Sequence, residues 1–326
     1  MLTAYVAEAS RLAPAAIDPD APAPPEHLVW LDLYEPSQAE EDAVERWLHL
    51  DVPTREEMRE IEMSSRLTQQ DGAVTMTALM LSHAETDHPE LSDVTFILGK
   101  GVLVTVRYAD PKPFRLYVRR AAKEGLAGGR ADEVYAGLMD AAVDRLADIL
   151  ERIGSDSDAL FRLVFASRVE RPMHNRDFNE VLRRIGRIED VSSKTRESLV
   201  TLGRVLSFII GGGARVPLSK EARDRLETAL RDANQLADHA AYQANKIAFL
   251  LDATIGLIGV EQNNIIKIFS VASVALMPPT LIASIYGMNF KHMPELDWPF
   301  GYPMALGLMV ASAILPYLYF RRKGWL

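Results

Sequence analysis

The spacing of apolar positions changes character along the chain. Through the first 125 residues short runs alternate or stand as compact apolar blocks, the mark of strands: His27–Tyr34, Ala73–Leu81 with Thr75 and Thr77, and Asp93–Leu98 with Val102–Tyr108 around Gly99-Lys100-Gly101 as a hairpin. Ser37 with Glu40 and Thr54 with Glu57 have capping-box spacing ahead of amphipathic runs, which predicts helix starts between the strands. From Ala131 the period becomes helical: one segment to about Ser167, a second from Asn175 to about Ile210, and a third beginning near Ser219, after Gly211-Gly212-Gly213. The reading is an α+β domain, an α/β block over 1–125 followed by a helical block over 126–218.

In the third helix Leu226, Leu230, Ala233, Ala237, Ala240, Ala244, Ile247 and Leu251, then less well Thr254 and Ile258, keep 4–3 spacing, a heptad seam. No proline interrupts it before Met277-Pro278-Pro279, so one helix of about 60–70 residues is expected. At about 1.5 Å per residue it approaches 100 Å, too long to stand alone, and its seam is expected to pack on copies of itself and on the preceding helices. That helix runs into the first of two uncharged stretches. Ile268–Phe290 and Trp298–Phe320 hold 23 residues each without Asp, Glu, Lys or Arg, roughly 35 Å as helix against a bilayer core of about 30 Å. The expected organisation is a stalk and first span over 219–290, an external loop over 291–297, a second span over 298–320 and a basic tail over 321–326. Lys267, Arg321, Arg322 and Lys323 flank the spans, and Asn289–Pro303 carries a formal charge of −1, so both chain ends are expected in the cytoplasm of a cell membrane. Met1–Glu26 has neither a basic start nor a long apolar run and does not read as a targeting segment.

Composition narrows the chemistry. With 45 acidic and 36 basic side chains among 326 residues the net charge is −9, unsuited to a dedicated nucleic-acid binder. There is no cysteine, which excludes disulfides, thiol nucleophiles and zinc-thiolate sites. Gly211-Gly212-Gly213 continues as Ala214-Arg215-Val216 and Ser219-Lys220 has the wrong order for a phosphate loop, so no nucleotide is expected there. No organic cofactor and no enzyme motif is indicated.

The 3–4 spacing carried into the first span picks out Asn263, Ile266, Ser270, Ser273, Met277, Thr280 and Ser284, with Asn289 just beyond. A polar stripe in an apolar span faces other helices or water, because lipid cannot satisfy it; small polar residues as helix-packing glue are the plain alternative. Two spans cannot enclose a pore, so a pore needs an oligomer.

Tyr286-Gly287-Met288-Asn289-Phe290, Met293-Pro294-Glu295-Leu296, Gly301-Tyr302-Pro303 and Tyr317-Leu318-Tyr319-Phe320 before a basic tail resemble the CorA family of magnesium channels. The resemblance lies within about 262–326. It implies a funnel-shaped homopentamer for hydrated Mg²⁺, with Co²⁺ or Ni²⁺ tolerated. The family's pore-lining places fall on Asn263, Ile266, Phe269, Ser273, Met277, Thr280, Ser284 and Gly287. Asn289 takes the entrance filter beside Tyr286 and Met288. Glu295 and Asp297 would concentrate cations outside, although Lys291 and His292 stand where acidic or neutral residues are common. In the family, Mg²⁺ held between cytosolic domains shuts the pore. Asp252 matches one such acidic position, and the main one falls on Thr228, leaving Glu227 and Asp224 as substitutes. His83, Glu85, Asp87 and His88 read as a hydrophilic hairpin rather than a metal site. A zinc or nickel transporter of the same superfamily, and a membrane-tethered metal sensor without flux, are the rival readings.

Overall fold

The strands are β1 (Leu2–Glu8), β2 (Arg11–Ala15), β3 (Leu28–Tyr34), β4 (Leu67–Gln70), β5 (Ala73–Ser82), β6 (Glu90–Gly99) and β7 (Val102–Arg107). They form one sheet in the order β2-β1-β3-β7-β6-β5-β4, antiparallel except where β3 runs parallel to β7. The computed structural model describes residues 1–326 apart from 9–10, 61, 63–65, 71, 125–128, 171–174, 213–215, 290–292, 295–296 and 325–326. The expected strands are present, and β6 and β7 meet at the Gly99-Lys100-Gly101 hairpin, where Lys100 and Gly101 both have positive φ. Ala13, Pro14 and Ala15, which open a Pro- and Ala-rich stretch, belong to β2. Pro14 is tolerated because β2 is an edge strand and needs donors on one side only.

Both capping boxes start helices, α1 (Gln38–Leu48) and α2 (Arg55–Met58). The Thr54 N–H donates to the Glu57 carboxylate at 2.8 Å and the Glu57 N–H to Thr54 Oγ1 at 3.3 Å. These helices cover one face of the sheet, burying Leu31, Leu33, Val44, Met58, Val104 and Val106. The opposite face meets α3 (Lys112–Glu124), α4 (Ala131–Glu170) and α5 (Asn175–Ile210). Trp30 stacks on Tyr5 at 4.4 Å, and Phe96 lies 5.6 Å from Tyr135 and 6.3 Å from Phe114. Sheet between helix layers is the arrangement that buries both faces. Strand β4 pairs only as far as Met76, which leaves part of β5 as an edge. Ser198 and Thr201 of α5 close it: the Ser198 hydroxyl donates to the Leu79 carbonyl at 2.8 Å and the Leu79 N–H donates to Thr201 Oγ1 at 3.0 Å.

Asp32 and Arg107 form a buried charged pair in this unit. Arg107 donates to both oxygens of Asp32, the closest contact being 2.9 Å, while the Thr105 hydroxyl donates to Asp32 at 2.7 Å and Trp30 Nε1 to Thr105 at 2.9 Å. The guanidinium also lies 4.5 Å from the Tyr34 ring and 4.7 Å from that of Phe114.

Helix α6 runs unbroken from Lys220 to Tyr286, and α7 spans Gly301–Arg322. The chain divides into two compact units, Met1–Leu251 and Asp252–Leu326, with the division inside α6. In the first unit the heptad seam differs from the expected one. Leu226, Ala233, Ala240 and Ile247 are buried as expected, but the alternate positions are Ala229, Gln243 and Leu250; Leu230, Ala237 and Ala244 are only half-buried and Leu251 is exposed. The chain's own helices therefore take one flank of the seam. Arg225 pairs with Asp140 at 2.6 Å, Lys246 with Asp158, and Phe249 stacks on Phe165 at 6.4 Å, all along α4. An apolar stripe with residues at both i+3 and i+4 permits either rotation, and packing against α4 chooses.

Candidate functional site

Two described helices, α6 and α7, are long and apolar enough to cross a membrane, and the C-terminal unit holds α7 and the part of α6 from Asp252. Within it Val271 of α6 and Gly301 and Ala305 of α7 are buried, and Ala275, Pro278, Pro279, Ile282 and Tyr286 are half-buried. Those α6 positions share one side of the helix, since each residue advances about 100°. The polar stripe falls on the other side. Asn263, Ser270, Ser273, Thr280 and Ser284 are all exposed, as are Ile266 at 61%, Phe269 at 70% and Met277 at 73%. Thus one side of α6 is partly buried within the unit, and the side carrying hydroxyl and amide groups is exposed. Tyr286, grouped with the filter in the sequence reading, belongs instead to the half-buried side.

Details of this flank bear on its chemistry. The Thr280 hydroxyl donates to the Leu276 carbonyl at 2.8 Å, which fixes the rotamer and leaves the oxygen lone pairs outward as acceptors. Pro278 and Pro279 have no N–H, so the carbonyls of Val274 and Ala275 lose their usual helical donors midway along the span. The helix stops where Gly287 N–H donates to the Ala283 carbonyl at 2.9 Å and Met288 N–H to the Ile285 carbonyl at 3.3 Å. Neither Gly287 nor Asn289 has positive φ. The constraint at Gly287 is tight space rather than a left-handed turn: a Cβ would stand 3.0 Å from the Ala283 oxygen, so a larger residue would need a small local shift. Gly287, Met288 and Asn289 are exposed at this end. Asp297 is exposed; Glu295, with Lys291 and His292, lies outside the described residues.

The acids suggested for regulation do not assemble within one chain. Asp224, Glu227 and Asp252 are all exposed, and Asp252 stands many turns from the other two on the same helix. Among the described residues no group of three or more His, Asp or Glu side chains is placed to hold a metal. The hairpin acids between β5 and β6 have cationic partners: Glu85 is met by Lys112 at 2.6 Å, by Arg145 and by Arg152 at 3.6 Å, and Asp87 by Arg187 at 2.7 Å. Those arginines lie 60 to 100 residues further on in sequence, beyond the reach of local pattern reading.

The family model described as CorA-like Mg²⁺ transporter protein matches residues 25–322. The chain belongs to the CorA family. Relatives named magnesium transport protein CorA, from Pasteurella multocida (strain Pm70) and from Escherichia coli (strain K12), are each 37% identical over 326 residues, all of this chain and all of theirs. CorA relatives are thus named as transport proteins and not as enzymes. Among solved structures, the complete CorA magnesium transporter from Methanocaldococcus jannaschii aligns with a TM-score of 0.78 at 20% identity over 100% of this chain and 99% of that one. Full-length CmaX aligns at 0.67 and 14% identity over 100% and 98%. These structural likenesses establish the CorA fold, a sheet with long helices followed by a long helix and a short apolar one. The family membership agrees with the resemblance drawn from the Gly287-Met288-Asn289 region.

Proposed function

We propose that five copies of this chain form a membrane channel for hydrated Mg²⁺, with the polar flank of each α6 turned to a common axis. The observation that carries the reading is the exposure of that flank, opposite the half-buried side of the same helix. The full-length likeness to proteins named for magnesium transport supports the choice of ion. On this reading the chain spans the membrane twice with both ends cytoplasmic and enters its assembly with no partner besides itself and lipid.

The chemistry follows from the ion. Mg²⁺ demands octahedral oxygen at about 2.0–2.1 Å and sheds water slowly, so a charged filter that stripped it would hold it too long. A ring of Asn289 side-chain carbonyls accepts hydrogen bonds from the waters and selects the solvated ion by size. Gly287 and Met288 bring backbone to the same level, and Asp297 and Glu295 gather cations ahead of it. Ser284, Thr280, Ser273 and Asn263 supply further acceptors inward, while Met277, Phe269 and Ile266 form apolar collars that close by dewetting. A divalent ion entering down 100 mV gains about 4.6 kcal/mol, so no nucleotide is needed. Inhibition by internal Mg²⁺ through Asp252, Glu227 and Asp224 would be completed by a neighbouring copy, since these acids do not meet in one chain.

Reconstitution into liposomes tests the reading. Mg²⁺ uptake should be saturable, competed by Co²⁺ and Ni²⁺ and poorly by Zn²⁺. Asn289→Ala should abolish it while mass measurement in detergent still returns five subunits. Undiminished uptake by that variant removes the filter, dominant Zn²⁺ flux favours the zinc branch, and a sealed vesicle favours a sensor.

A further inference from the structure

Where the β5–β6 turn meets α4 and α5 there is a cavity of about 340 Å³ in the first unit, separate from the polar flank of α6. Its floor is apolar: Ile149 and Ile153 of α4 and Ile188 and Val191 of α5 are buried there. Its rim is cationic, with Arg152 from α4 and Arg184 and Arg187 from α5 set against Glu85 and Asp156. Neither an apolar floor nor a basic rim alone is unusual; their union is what small-molecule sites look like, a mainly apolar hollow of roughly 300–1,000 Å³ with a few convergent polar groups.

The charge arrangement beside the cavity is unbalanced. A single carboxylate oxygen, Glu85 Oε1, is approached by three cations, Lys112, Arg145 and Arg152. Arg145 and Lys112 hold it as hydrogen-bond donors, whereas Arg152 stands off at 3.6 Å, beyond hydrogen-bond distance. Burial, followed by the neighbouring Arg152 charge, draws the Arg145 guanidinium below its usual range, against the opposing pull of Asp148 at 3.8 Å. Across the opening Arg187 engages Asp87 through one terminal nitrogen at 2.7 Å, and Arg184 is exposed at the rim. Guanidinium groups from two helices at one mouth suit a planar or tetrahedral oxyanion, which they grip bidentately.

We infer that this cavity binds a small amphipathic organic anion, its phosphate or carboxylate head held by Arg152, Arg184 and Arg187 and its apolar body lying on Ile149, Ile153, Ile188 and Val191. The ligand would tie α4 to α5 and to the β5–β6 turn, adding to the buried apolar contacts between the two helices and to the ion pairs of Glu85 and Asp87. Soluble phosphate esters and free fatty acids both carry this chemistry.

The probe is 1-naphthyl phosphate, titrated by calorimetry against the full-length protein in nanodiscs. Saturable binding at one site per chain is expected, with inorganic phosphate at least ten-fold weaker because it cannot use the floor. Arg184→Gln, an exposed position that does not threaten folding, should weaken binding at least ten-fold, and Arg152→Gln with Arg184→Gln should remove it at unchanged subunit number. Competition by decanoate would assign the natural source to fatty acids, and its failure to compete would assign it to soluble phosphate esters. No saturable binding at millimolar probe, or binding indifferent to Arg184→Gln, overturns the site.

Discussion

The two compact units treat apolar surface in opposite ways. In Met1–Leu251 the large side chains of Trp30, Phe96, Met139 and Tyr135 are almost wholly shielded by the same chain. In Asp252–Leu326 Phe269, Leu276, Met277, Leu281 and Leu315 are each more than 60% exposed, and the buried apolar residues are Val271 and Ala305. Burial of apolar area is the main favourable term in folding, at about 25 cal/mol per Å². The first unit satisfies most of it within itself, although Tyr242 and Phe249 remain exposed, whereas the second leaves far more of its large apolar side chains uncovered. Polar groups are divided by the same logic. The first unit encloses Asp32, Arg107, Thr77, Thr95 and Thr105, and each has a partner within the unit. The second turns Asn263, Ser273, Thr280 and Ser284 outward. Outward polar groups on a membrane helix are tolerable only against water or another helix.

The sharpest break in this comparison comes from the buried pair. Asp32→Ala leaves Arg107 in the core without its main counter-charge and should cost roughly 3–5 kcal/mol. Replacing both, Asp32→Leu with Arg107→Met, should recover most of the loss, because desolvation is then no longer required of either ion. Thermal unfolding of the full chain in detergent, followed by near-ultraviolet dichroism of the Trp30 cluster, reads both. If the single change were as mild as the double, the pair would not matter to the first unit's stability.

A second experiment addresses the other unit and uses the absence of cysteine. Ser273→Cys and Thr280→Cys should react with a charged, water-soluble thiol reagent at least ten-fold faster than Ala275→Cys and Ile282→Cys on the half-buried side. Equal rates would place the polar flank against lipid or packed helix and leave no wet passage.

How far sequence alone reaches differs between the units for a physical reason. Helix ends are local events, so the starts at Ser37 and Thr54 and the 175–210 helix were legible from caps and period. Strands β1 and β2 were not, because their stability comes from pairing, Tyr5 opposite Pro14 and Trp30, and the Pro/Ala run conceals it. Helix α3 went unread for a similar reason: Phe114 and Tyr117 commit it to the core only once Trp30 lies beneath them. The seam of α6 was seen, but not which flank of it α4 would take. The polar stripe needed spacing alone, since a regular helix preserves angular order over many turns. The arginine-rimmed cavity joins residues from Glu85 to Val191, and no local pattern announces it.

A smaller effect tests how the first unit anchors the start of α6. The Asp132 carboxylate, near the beginning of α4, accepts the Ser219 N–H at 2.6 Å and Arg130 at 2.9 Å. Burial pushes its pKa upward, but Arg130 and the Ser219 N–H outweigh that and hold it below the ordinary carboxylate range. A folded value below the unfolded one means the contribution is full above the unfolded value and is lost as pH falls through the folded value. Asp132→Asn should therefore cost about 1–2 kcal/mol at neutral pH, from weakened charge-assisted hydrogen bonds. The gap between wild type and variant should hold above about pH 5 and close as the pH falls below the ordinary carboxylate range of about 4. A gap that widened on acidification would show that some other group sets it.

The smallest expected effect is also a difference between two terms of similar size. Gly154 lies in the middle of α4, where alanine would favour the helix by about 1 kcal/mol. Its absent Cβ is the space used by Gln243 of α6: a methyl there would stand 2.9 Å from the Gln243 amide nitrogen. Gln243 is 6% exposed, its side-chain nitrogen lies 3.3 Å from His239 Nε2, and its oxygen has no hydrogen-bond partner among the described residues. Displacing the amide sacrifices one weak contact, about 0.5–1.5 kcal/mol, so Gly154→Ala should leave the unfolding midpoint nearly unchanged. In a Gln243→Ala background the obstruction is gone and the same change should stabilise by about 1 kcal/mol, a coupling that a double-mutant cycle reads directly. Identical effects in the two backgrounds would mean that α6 does not rest on α4 through this notch, and that the first unit holds its part of the helix by the Asp140 and Asp158 ion pairs and apolar contacts instead.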